Sequence, residues 1–229
     1  MSQILEKIRS RGWWTVRIRP LNYQNDTPAA LADLEEAVRT SAVELRGWPF
    51  PHYDCGPRSI RTRTADYIGQ ELDWKHYVEM WRAYKSGQFI SLSALWEDWR
   101  DKSTLWPAPP GWAPGITLSV ENAVHRLAEI FEFAARWARA IPVGDKMVVE
   151  CAIHGLQSRA LQLAPTGPGF FCERRCSVPK WKWAPEYPTA EVFSSPREHA
   201  ISPAVNLFEL FGWDGCEDKV REIQGTLRT

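Results

Sequence analysis

Residues 117–141, TLSVENAVHRLAEIFEFAARWARAI, constrain the fold more than any other stretch of the chain. Val120, Val124, Leu127, Phe131, Ala134, Ala138 and Ile141 recur at alternating steps of four and three, and Ala123, Ile130 and Trp137 widen the stripe. That is the spacing of an amphipathic α-helix. Twenty-five residues at 1.5 Å each would give roughly 37 Å, enough to cross a whole domain. Pro142 and Gly144 stop the helix. An apolar stripe of this length needs a partner along its whole run, so the helix is expected to form the spine of a sheet-and-helix core.

The partners are legible on either side. In 13–19, WWTVRIR, Trp14, Val16 and Ile18 alternate with Thr15, Arg17 and Arg19, the pattern of a half-buried strand ended by Pro20. Asp26-Thr27-Pro28 reads as a helix start, with Leu31, Leu34, Val38, Ala42 and Leu45 as the buried face and Gly47 as the stop near 46. Trp48-Pro49-Phe50-Pro51 must be extended or turning, because a residue before proline is pushed out of the helical region, and a surface loop is expected. Arg58, Arg61 and Arg63 then read as a solvated strand face.

The stretch 67–100 holds four of the thirteen tryptophans. Residues 76–84 set Tyr77, Glu79, Trp81 and Ala83 against Val78, Met80, Arg82 and Tyr84, and 88–96 is rich in β-favouring residues. Ser86-Gly87 between them signals a hairpin. A helix is the rival, since Trp74, Tyr77, Trp81 and Tyr84 also recur at helical spacing. Residues 101–116, with four prolines and two glycines, form a loop that Trp106 and Trp112 should pack down. Residues 147–153 and 159–163 read as two strands joined at His154-Gly155, 164–188 as irregular, and 200–213 with 218–227 as two short helices. The sum is an α+β fold over 1–229 as a single domain, a mostly antiparallel sheet against one long central helix and shorter flanking helices.

Lysine plus arginine equal aspartate plus glutamate at 28 each, so no global field steers the chain onto nucleic acid or an anionic membrane. No apolar run is long enough to span a bilayer, and 1–14 lacks the apolar core of a signal peptide. Five cysteines, an odd number, suit a reducing compartment with free thiols. A cytoplasmic protein without membrane contact is expected. At GQELDWKH, SGQF, FEFAARWA and IHGLQSR the chain resembles a family of bacterial cytosolic proteins with no established activity. The resemblance spans about 60–160 and implies no functional residue.

Three constellations carry possible chemistry. Glu71, Asp73 and Lys75 share one face if 71–75 is a strand, and with Asp54 they can hold Mg²⁺ and position a water. Asp73-Trp74-Lys75 resembles the D/E-x-K half of restriction-endonuclease-like nucleases, which implies a Mg²⁺-dependent nuclease or phosphodiesterase. That family carries the motif on the later strand of a hairpin, whereas here it precedes the expected hairpin. A salt-bridged strand face is the plainer alternative. His52 and Cys55 with Cys172 and Cys176 can supply four ligands for Zn²⁺. Arg174 and Arg175 with Lys180, Trp181, Lys182 and Trp183 set indoles beside cations, suited to single-stranded nucleic acid or to a protein interface. Zero net charge favours the protein partner or a homo-oligomer. No Walker loop, dinucleotide fingerprint or strained nucleophile turn is present. The expectation is therefore a binding or accessory protein that engages a partner through Trp-rich loops.

Overall fold

The computed structural model describes residues 2–23, 30–53, 56–102, 111–163 and 173–227. Its centre is an eight-stranded sheet built from β1 (Trp13–Pro20), β2 (Ser59–Arg63), β3 (Tyr67–Trp74), β4 (Tyr77–Tyr84), β5 (Phe89–Ala94), β7 (Lys146–His154), β9 (Lys180–Trp183) and β10 (Glu186–Pro188). The order is β10-β7-β1-β5-β4-β3-β2, with β9 sharing the edge of β7 with β10, and every pairing in it is antiparallel. Two short strands stand apart and pair in parallel: β6 (Thr117–Ser119) and β8 (Ala160–Gln162). The α+β expectation holds.

The helix expected at 117–141 is α3 (Val120–Ala140), 21 residues or about 31 Å long. Its first three expected residues are β6 instead, and Ser119 caps the helix by accepting from the Asn122 N–H at 3.2 Å. The stripe lies on the face of the sheet that carries Trp14, Val16 and Ile18 of β1, Trp81 and Ala83 of β4, and Val149, Cys151 and Ile153 of β7. Phe133 meets Phe89 at 4.5 Å between ring centres, and the Trp137 indole donates to the Gly87 carbonyl at 2.9 Å. The opposite face is covered by α1 (Gln3–Arg9), whose Ile4 and Ile8 pack on Val78, Met80, Ala94 and Trp99.

The hairpin reading of 76–96 is borne out, since β4 and β5 are joined through Gly87 at φ +75°. A side chain at 87 would also press on Pro20, 3.2 Å from its Cβ, so both backbone and space require glycine. A second hairpin joins β3 to β4 through Lys75-His76, with Lys75 at φ +53°.

Several boundaries differ from expectation. The helix read to about 46 is α2 (Leu31–Ser41), because Val43 leaves it to bridge Phe50 in both directions (3.0 and 2.8 Å). Gly47 has φ +81° in the turn between these partners, not at a helix end, and the Asp26-Thr27-Pro28 start lies outside the described residues. The 48–51 segment is no surface loop, since Phe50 is 1% exposed and wedged against Phe133. The strand at 159–163 does not return alongside β7, whose edges are taken by β1, β9 and β10; β8 pairs with β6. Within 164–188, expected to be irregular, β9 and β10 complete the sheet. Four helices follow, α4 (Thr189–Ser194), α5 (Pro196–His199), α6 (Ile201–Glu209) and α7 (Glu217–Gly225), and all pack against α3. Among the described residues no helix is long and apolar enough to cross a membrane.

A buried ion pair fixes the junction where β1, α3 and the 3₁₀ turns of Trp96–Lys102 meet. Asp98 and Arg159 are 1% exposed each, and the pair is joined through both guanidinium arms. The Asp98 carboxylate also accepts from the backbone N–H groups of Gly12 and Gly115, each at 2.8 Å, and Arg159 donates to the Thr117 carbonyl at 2.7 Å. Charges removed from water this fully are tolerable only when all their hydrogen-bonding capacity is met. The result holds Glu97 and the start of α3 in fixed relation.

Candidate functional site

The structure places the sequence-derived candidates apart. Glu71 and Asp73 project from the face of β3 opposite α3, where Glu71 accepts from the Ser2 hydroxyl at 2.8 Å and Asp73 pairs with Lys7 at 2.6 Å. Lys75 is not on the strand but in the turn, its ammonium 5.0 Å from the Trp74 ring centre. Asp54 lies outside the described residues, as do Cys55 and Cys172. Cys176 is buried and its thiol donates to the Val178 carbonyl at 3.4 Å, while burial pushes it up in pKa. Among the described residues no group of three or more His, Cys, Asp or Glu side chains is placed to hold a metal ion.

Period-two alternation in β9 turns Trp181 and Trp183 together toward the core. Trp181 is 3% exposed and donates to Asn206 at 3.0 Å, and Trp183 donates to the Tyr187 hydroxyl at 2.9 Å. Lys180 and Lys182 face outward, Lys182 beside Glu150 at 3.3 Å. Arg174 donates to the Gly212 carbonyl and Arg175 to the Ser158 carbonyl, so both arginines tie the chain to itself.

The groups that do converge line a cavity of about 400 Å³ between the sheet and the N-terminal half of α3. Tyr77 and Glu79 of β4, Ser93 of β5 and Trp14 of β1 form its floor, and Asn122, Arg126 and Glu129 of α3 its roof. Arg46, Trp48, Phe50 and His52 also line it, as do His76, Trp96 and Glu97. His52 is fastened from below: its carbonyl accepts from the Trp81 indole at 2.8 Å and from Gln70 at 3.1 Å. Its backbone N–H donates to Glu79 at 2.9 Å, and its ring Nδ1 sits 3.1 Å from the other oxygen of the same carboxylate. Glu79 thereby sets the ring's orientation and holds the proton on Nδ1, leaving Nε2 without a partner among the described residues.

Burial raises the Glu79 carboxyl, but the charge and hydrogen bonds of His52 outweigh it and hold the group below the usual carboxylate range. Glu129 behaves alike: burial opposes ionisation, and Arg46, bound through both oxygens at 2.7 and 2.8 Å, with Arg126 at 3.5 Å, overrides it. Glu97 goes the other way. Burial pushes its carboxyl up, and backbone donors, including the Ser119 N–H at 3.0 Å, do not compensate. His76 is lowered to about 4 by burial, with the charges of Lys75 and His52 adding to it, so its ring is neutral near pH 7. One cavity thus holds an ionised Glu79, a carboxyl at Glu97 biased toward the neutral acid, and two imidazoles. Such divergence in neighbouring titratable groups is what acid–base chemistry and selective hydrogen bonding both need.

Comparison with known proteins names no relative. No family model matches the chain, and no significantly similar curated protein or solved structure is found. The site therefore rests on its own geometry.

Some of it was visible in the sequence. Glu79 stands among Tyr77, Trp81 and Ala83 on the apolar side of its alternation, where an unpaired acid would be costly. Asn122, Arg126 and Glu129 step by four and three beside the apolar stripe of α3, forming a second, polar stripe. Glu97 carried no such mark, since its burial depends on Asp98 and Arg159 fixing the turns around it.

Proposed function

We propose that the protein binds a small organic molecule in the cavity under α3. One observation carries the reading: five buried polar atoms without a partner among the described residues, His52 Nε2, His76 Nδ1, Trp96 Nε1, Glu97 Oε2 and Asn122 Nδ2, belong to residues that line this one cavity. A buried polar group left unpaired costs about 1–3 kcal/mol, so gathering several at one place is sensible where a ligand satisfies them. The volume and the mix of aromatic walls with a few polar groups suit small-molecule sites. Trp181 is buried and Trp183 partly so, both turned toward the core, which supports reading the function from the cavity rather than from that strand.

Ligand-observed NMR with a fragment library tests it, comparing the wild type with Ala123→Trp, which fills the cavity from α3. Asn122→Phe serves as a second block if the first fails to fold. Fragments that bind the wild type and are lost from the folded blocked variant are expected. No binding, or binding untouched by the block, overturns the proposal.

The Glu79–His52 pair favours a second reading within the same cavity, proton transfer with His52 Nε2 as base and Glu97 as acid. It would show as turnover of a bound ligand that His52→Gln abolishes while binding persists.

A further inference from the structure

The cavity's unpaired groups define the kind of molecule that fits them, and this step rests on the binding proposal above. We propose that the ligand is an uncharged nitrogen heteroaromatic of about purine size, carrying several in-plane acceptors and at least one ring N–H.

The hydrogen-bonding inventory leads there. Trp96 Nε1 can only donate. Asn122 Oδ1 accepts from Arg46 at 3.3 Å, which fixes the amide and turns Nδ2, a donor, to the unpaired side. Glu97 Oε1 accepts from the Ser119 N–H, and burial pushes its carboxyl up, so Oε2 is a donor while the acid keeps its proton. His52 donates a hydrogen bond from Nδ1–H to Glu79, so Nε2 is the ring position left for the ligand. His76 Nδ1 adds one position of either sense. Two fixed donors, a third at Glu97 while its carboxyl keeps a proton, and two imidazole nitrogens call for a ligand rich in acceptors with one donor. Ser119 connects two of these groups, since its N–H donates to Glu97 and its hydroxyl accepts from the Asn122 N–H, which sets them side by side at the start of α3.

The walls call for a ring. His52 and His76 both lie against Tyr77, at 5.0 and 4.2 Å between centres, and His76 is 5.9 Å from Trp96. Trp48, half-exposed, lies 5.2 Å from Tyr77 as well. Flat faces meeting at one cavity favour a flat occupant. The charges call for neutrality. Arg46 and Arg126 are committed to Glu129, and His52 to Glu79, leaving the half-buried Glu121 and the buried Glu97 as the lining carboxyls with no ion pair among the described residues. An anionic ligand would be desolvated without a free counter-charge, and a cation would find only Glu121, half in water, and Glu97, whose carboxyl burial pushes up.

Isothermal titration calorimetry with four probes tests the assignment: hypoxanthine as the lactam purine, indole as a ring without acceptors, benzoate as an anion and choline as a cation. Hypoxanthine is expected to bind one to one and more tightly than the other three. Removing a donor by Asn122→Leu, or the Nε2 position by His52→Phe, should each weaken it about tenfold, the loss of one well-formed buried hydrogen bond. Glu97→Gln, which keeps a donor at the same place, should hold affinity within about threefold. Near-UV circular dichroism establishes that each variant is folded, and Glu97→Gln with Asn122→Leu suffices if His52→Phe is not. Equal or tighter binding of indole, benzoate or choline overturns the ligand class while the cavity reading stands. If no probe binds but fragments still distinguish wild type from the blocked variant, the class again falls alone. If fragments also fail to distinguish them, both readings fall.

Discussion

Glu97 is the residue whose chemistry depends most on its surroundings. Burial raises its pKa from an ordinary value of 4.5, so the folded state holds the proton more tightly than the unfolded chain does. The stabilising contribution is then complete below the unfolded value and is lost as pH rises through the folded one. Glu79 and Glu129, both lowered, contribute in the opposite sense: their stabilisation is present above the unfolded value and is lost as pH falls through the folded one. A wild-type curve alone mixes the two. Urea denaturation of wild type and Glu97→Gln from pH 4 to pH 8 separates them: the wild type is expected to lose stability relative to the variant as pH rises. A constant difference would remove the case for a neutral Glu97. Glu97 shows what a sequence hides, because Trp96, Glu97 and Asp98 look alike as a polar-aromatic run, yet Glu97 and Asp98 are held by different partners.

Among the elements, α3 and the β3–β4–β5 meander set the site. The helix begins where it does because Ser119 caps it, and the same residue donates to Glu97. Ser119→Ala should cost about 1 kcal/mol in chemical denaturation, the usual value of an N-cap, while leaving the backbone bond to Glu97 in place. A loss near zero would mean that β6 alone fixes the start. The meander explains why the charged residues of 71–75 and the cavity residues of 76–79 separate so sharply. Within β3 and β4, Asp73 pairs across with Val78 and Glu71 with Met80, which puts both acids on the face covered by α1. Tyr77 and Glu79 take the other face, under α3. Alternation foretold two faces, but which one met the helix depended on where α1 and α3 docked.

For the molecule as a whole, one large cluster of buried residues joins the sheet face to α2, α3 and the C-terminal helices, and a smaller one lies beneath α1. The described residues should therefore unfold together. Calorimetry is expected to give one transition with calorimetric and van't Hoff enthalpies in agreement, and two resolved transitions would divide the chain into separate units. By itself the sequence determined the long helix, the strand at 13–19, the hairpin through Gly87 and the α+β class, because periodicity and turn chemistry are local properties of the chain. It did not determine that 180–183 would be a strand of the main sheet or that 160–162 would leave it for β6, since strand partners are chosen by non-local pairing. Only the tertiary structure brought His52, His76, Glu79, Glu97 and Asn122 around one cavity. Their spacing along the chain carries no signature, because what unites them is burial against α3, and burial is a property of the packed whole.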